Sequence, residues 1–121
     1  MQPRELYTDT KEIRLPKEPA NNPGTNIIIM LGDKRNKFNG EDVDIINQTI
    51  DEDDPTRIVA TATITKTKML KFKKLVAADI VNYWDTDIDT LDKLKFYMKG
   101  RYSSAFSIDS MVTVVKFVID E

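Results

Sequence analysis

The sequence predicts an α+β fold: a small β-barrel or rolled sheet with two short helices placed before the final strand. Three observations carry this. Strand-like segments come first and helical spacing comes late. The stretch "RIVATATITK" (57–66) alternates cleanly, and the chain closes on the β-branched run "MVTVVKFVI" (111–119). No repeat and no shift in composition divides the chain, so residues 1–121 read as a single domain. A chain of this length buries roughly two thirds of the surface its unfolded form exposes.

Each element has its own signal. Residues 11–15 form a short first strand ended by Pro16, and "PKEPANNPG" is a loop broken by Pro16, Pro19, Pro23 and Gly24. "NIIIML" is a β-branched strand buried on both faces, and it is the longest apolar run. "GDKRNKFNGE" is a turn with Asn39-Gly40 at its tip, leading to a second short strand in "DVDII". In "RIVATATITK", Ile58, Ala60, Ala62 and Ile64 share one face. After Lys74 the spacing of Val76, Ile80, Tyr83 and Trp84 predicts a first helix, and that of Leu91, Leu94 and Met98 a second. Asp89, with Asp92 three residues on, is the expected cap of the second helix and Gly100 its expected stop.

Composition removes whole classes of chemistry. With no cysteine there are no disulfides, thiolate zinc sites or cysteine nucleophiles. With no histidine the commonest general base and metal ligand are missing, so histidine-dependent triads are excluded. No apolar run reaches the roughly 18 residues that span a bilayer, and no signal peptide opens the chain. The expectation is a cytoplasmic protein with no membrane partner, no cofactor and no metal. Asp85, Asp87 and Asp89 mimic the start of a calcium loop, but Thr90 and Phe96 stand where its glycine and glutamate belong.

The net charge of −2 hides segregation. Acidic runs occupy 50–54 and 85–92, while Lys66, Lys68, Lys71, Lys73 and Lys74 crowd a basic stretch, followed by Lys93, Lys95, Lys99 and Arg101. Such a stretch is either a solvated surface or a face that holds phosphates. Alternation along a strand splits its lysines between two faces, so only some can serve one ligand. Trp84, Tyr97 and Tyr102 are candidates for base stacking, though the spacing of Trp84 suits a core position better. In the first strand Thr10, Glu12 and Arg14 fall at alternate positions and point the same way, while Lys11 points opposite. Glu12 and Arg14 read either as a plain ion pair or as part of a ligand site.

Taken in order, "TKEIRL", "NGEDVDII", "RIVATATITK" leading into "FKKLVAADI", and "MVTVVKFVI" resemble an ASCH domain of the PUA-like β-barrel superfamily. The family signature is Gly-x-Lys-x-x-Glu-x-Arg. Aligned on Arg14, Glu12 matches and Thr10 agrees with a frequent threonine, but Asp9 and Tyr7 replace the lysine and glycine. A second alignment keeps Gly32 and Lys34 and loses the glutamate and arginine to Lys37 and Asn39. The resemblance implies a cleft beside the first strand that receives a base or nucleotide, commonly of RNA. Some relatives hydrolyse the amide of 4-acetylcytidine with a lysine, a threonine and a glutamate. Their glutamate would fall near Thr86, between Asp85 and Asp87.

The favoured expectation is therefore an RNA- or nucleotide-binding module without strong catalysis. Its ligand contacts are Thr10, Glu12, Arg14, Lys66, Lys68 and Lys71. An amidohydrolase drawing on Thr10, Lys11, Glu12 and Lys34 is the alternative. A third reading is a small protein-interaction factor of a type found in phages, blocking a partner with its acidic segments.

Overall fold

The computed structural model describes residues 11–17, 24–34 and 42–120. Five strands form one curled sheet, a half-barrel: β1 (Lys11–Leu15), β2 (Thr25–Leu31), β3 (Asp42–Asn47), β4 (Ile58–Lys71) and β5 (Met111–Ile119). Their order is β1-β3-β4-β5-β2, so β4 and β5, the two clearest strands of the sequence, lie inside the sheet. β3, β4, β5 and β2 pair antiparallel. β1 runs parallel to β3, Ile13 opposite Ile45, which makes the sheet mixed. The long excursion through β2 between these two strands is what permits a parallel pair.

The register sorts the side chains. Ile13, Leu15, Val43, Ile45, Ala62, Ile64, Val115 and Phe117 share the inner face, all at most 4% exposed. Trp84, Leu94 and Met98 belong to the same core cluster and close the half-barrel. Two register shifts curl β4, one against β3 after the Ile45–Ala60 pair and one against β5 after the Ile64–Phe117 pair. Val59 and Thr65 are the extra residues, and such bulges bend a strand and sharpen its twist. The alternation read from the sequence is thus interrupted at Val59, which sends Ile58 to the face opposite Ala60.

The helical part departs from expectation. One α-helix is present among the described residues, α1 (Leu91–Tyr102), instead of two. The segment expected as a first helix forms a single 3-10 turn, Ala77–Ile80, and then becomes extended. Asn82 takes a left-handed φ of 62°. Beyond it Ile27 N–H donates to Asn82 O (3.1 Å) and Trp84 N–H donates to Ile27 O (2.8 Å). The free edge of β2 satisfies these backbone groups, and that contact outcompetes helical periodicity. Ile80, Tyr83 and Trp84 are buried as their spacing requires, by a turn and a β-bridge.

Both ends of α1 also differ. Thr90, rather than Asp89, caps it, its hydroxyl accepting from Lys93 N–H at 3.2 Å. Asp89 instead pairs with Lys93 Nζ at 2.8 Å, one turn away. The helix passes through Gly100 and stops at Ser103, whose φ is 50°. Among the described residues no helix is long and apolar enough to cross a membrane.

Candidate nucleic-acid interface

The second bulge of β4 builds the site. Thr65 is the unpaired residue, and its hydroxyl donates to Lys116 O at 3.3 Å, holding β5 against the bulge. Beyond it Lys66 lies directly opposite Lys116, on the outer face of the sheet. Lys68 follows two residues on and shares that face. Among the described residues one carboxylate pairs with the group: Lys68 Nζ lies 2.7 Å from Asp79 Oδ1, on the 3-10 turn. Partial burial pushes the Asp79 carboxyl up. The hydrogen bonds from Lys68 and Val76 N–H and the charges of Lys68 and Lys116 outweigh this, and its pKa falls below the ordinary aspartate value. Asp79 is thus ionised at neutral pH and sets one negative charge beside the three ammonium groups.

The first-strand residues make a different cluster. Glu12 accepts from Arg14 Nη2 at 3.3 Å and from Arg57 Nη1 at 3.3 Å. Burial raises the Glu12 carboxyl, but the bonds and charges of the two guanidiniums prevail and hold it below its usual value. Arg57 enters through the turn Pro55–Arg57, capped by Asp54, whose Oδ1 accepts from Thr56 N–H at 2.9 Å. Thr10 lies outside the described residues, as does the side chain of Lys11, whose backbone opens β1 opposite Val43.

The structure separates what the sequence grouped. Arg14 is opposite Ile46, which is opposite Ile58. From Ile58 to Lys66 the strand covers about 25 Å. Lys34 sits just past β2, whose Leu31 is level with Val112 and Leu70, whereas Glu12 is level with Asp44 and Thr61. These two hydrolase candidates are therefore some nine residues, or about 30 Å, apart along the sheet. The backbone of Lys34 is anchored there, its N–H donating to Thr113 Oγ1 at 2.9 Å. Lys71 closes β4 opposite Met111, on the inner-face register and away from Lys66 and Lys68. Between the two clusters the outer face is acidic, with Thr63 Oγ1 3.1 Å from Asp42 Oδ1 and 3.0 Å from Asp120 Oδ1.

Of the aromatic candidates, Trp84 is core at 1% exposure, while Tyr97 and Tyr102 are half-buried along α1. Burial raises the Tyr97 hydroxyl above its ordinary value. Near the expected family glutamate, Asp85 accepts from Lys17 Nζ at 3.0 Å and Thr86 is exposed. Lys116 and Arg57 are absent from the sequence-derived site. Lys116 left one trace: it is the single charged residue in the apolar run of β5. Nothing in the sequence marks the bulge that sets Lys66 against it. Comparison with known proteins returns no match, whether to family models, to curated proteins or to solved structures.

Proposed function

We propose that this protein binds single-stranded RNA, without catalysing a reaction on it, through the phosphates that the Lys66–Lys68–Lys116 face receives. The observation that carries this is the direct opposition of Lys66 and Lys116 across two paired strands. Like charges directly opposite each other across paired strands destabilise a sheet by roughly 0.2–1 kcal/mol. A phosphate between them turns this repulsion into attraction. The acidic middle of the outer face, around Asp42 and Asp120, keeps the RNA on the β4–β5 end.

We also propose kinship with PUA-like ASCH domains; the curled sheet, the late helix and the shared face of Glu12 and Arg14 are what support that reading. The amidohydrolase reading draws no comparable support. Glu12, ionised between Arg14 and Arg57, suits an anchor better than a proton relay, and Lys34 is far from it. The purified protein is accordingly expected to release no acetate from 4-acetylcytidine. Binding is tested by fluorescence anisotropy with a labelled oligouridine over a salt series. Three phosphate contacts to a single strand predict a log–log slope of about −2. Absence of binding at low salt, or binding indifferent to salt, would refute the proposal.

A further inference from the structure

The lysine face of β4 and β5 carries an anion of the protein's own. After β4 the chain bonds once more to the β5 side, Phe72 N–H donating to Ser110 O at 2.9 Å, and then folds back toward Lys68. Leu75 and Ile80 are buried and fix this returning segment on either side of Asp79. Within it Asp79 N–H donates to Val76 O (2.9 Å) and Val76 N–H donates to Asp79 Oδ2 (2.8 Å), so the carboxylate is clamped to its own turn. Its other oxygen, Oδ1, accepts from Lys68 Nζ at 2.7 Å. That is the length of a charge-assisted bond, such as an ammonium makes to a phosphate oxygen. The charge of Lys116 also acts on this carboxylate. Asp79 thus presents to Lys68 what a phosphate would present.

The two members of this pair are unequally free. The Asp79 side chain is 11% exposed and that of Lys68 is 44% exposed. The carboxylate stays where its turn holds it, while the ammonium rides on a flexible four-carbon stem and can change partners. A phosphate arriving at this face must take Lys68 from Asp79. Exchanging one charge-assisted bond for another returns less free energy than engaging an unpaired ammonium.

We infer that Asp79 is an internal competitor for phosphate: it holds Lys68 in the free protein, yields it when RNA binds, and keeps binding weaker than three unengaged lysines would make it. The inference rests on the RNA-binding reading and adds a restraint built into the same face. Anisotropy with labelled oligouridine over a salt series tests it. Asp79→Asn removes the charge and keeps an oxygen for Val76 N–H. It is expected to bind about three- to fivefold tighter than wild type, the scale of one partly exposed ion pair. The salt slope is expected to stay near about −2, because the same phosphates are engaged. Asp79→Ser, whose hydroxyl also accepts from a backbone N–H, is expected to show the same gain and serves if the asparagine variant does not fold. Asp89→Asn removes an equal charge but frees Lys93 on α1, and is expected to bind as wild type does. Wild-type binding with no gain from either Asp79 variant, or an equal gain from Asp89→Asn, would overturn the inference and leave the RNA-binding reading standing. A gain with a steeper slope would also overturn it, since Lys68 would then be withheld from RNA in the wild type rather than exchanged. No binding by any of these proteins at low salt would refute both.

Discussion

Two charged clusters share the outer face of the sheet, and they are built on opposite terms. At the β1 end, Glu12 lies between Arg14 and Arg57, each at 3.3 Å, so both cations are held in ion pairs and the group keeps one net positive charge. At the β4–β5 end, among the described residues, Asp79 pairs with Lys68 and feels the charge of Lys116, while three ammonium groups lie on that face. The first cluster resembles a structural ion network, where little is left for a ligand. The second keeps uncompensated charge on a rigid pair of strands, as a phosphate site must. Local sequence favoured the first, since its residues alternate within one strand. Geometry favours the second, since its residues meet only when β4 and β5 pair.

The largest expected effect comes from breaking the sheet that holds the two clusters apart. Val115 is fully buried and pairs with both Ile28 and Thr67. Val115→Asp places an unpaired carboxylate in the core and is expected to cost more than about 4 kcal/mol. Ile64→Asp, at 4% exposure on the same face, should act alike. Thermal unfolding followed by circular dichroism checks both. An unchanged transition for either would remove that strand from the core.

The next effect separates the clusters by function. Lys66→Gln and Lys116→Gln are each expected to weaken oligouridine binding several-fold, near 1 kcal/mol, and to reduce the salt slope by about 0.7 per charge removed. Arg14→Ala is expected to leave that binding within twofold, because it lies about 25 Å along the strand from Lys66. Stability should move the other way. In free protein Lys116→Gln relieves a like-charge pair and should be neutral or stabilising by roughly 0.2–1 kcal/mol. Equal losses of binding at Arg14 and Lys116 would erase the distinction between the clusters.

The sequence revealed what depends on local pattern. The alternation of Ala60, Ala62 and Ile64 marked β4, the β-branched run marked β5, and Leu91, Leu94 and Met98 marked α1. It misled where a tertiary contact overrides spacing. Ile80, Tyr83 and Trp84 have helical intervals, yet Asn82 and Trp84 spend their backbone groups on Ile27. It was silent where meaning lies in register. A lysine-rich strand does not say which lysine is opposite which, and the bulge at Thr65 decides that. For the same reason Glu12 and Arg14 were visible as neighbours while Arg57, from a distant turn, was not.

The smallest effect sharpens the comparison through pH. The guanidiniums of Arg14 and Arg57 overcome partial burial and hold the Glu12 carboxyl below its ordinary value of 4.5. A carboxylate whose folded pKa is depressed adds stability that is complete above the unfolded value and is lost as pH falls through the folded one. The Glu12 contribution is therefore constant at neutral pH and disappears on acidification below about 4.5. Arg14 is half exposed, so solvent screening keeps the contribution under about 1 kcal/mol. Glu12→Gln is expected to lower stability by that amount at pH 7, to flatten part of the acid limb in urea titrations between about pH 5 and 3, and to leave RNA binding unchanged. At the lysine end the analogous neutralisation at Lys116 should not destabilise at pH 7. Parallel urea titrations of the two variants measure the contrast directly. A Glu12→Gln protein as stable as wild type at pH 7, with an unaltered acid limb, would show that the arginine cluster does not act as a structural network.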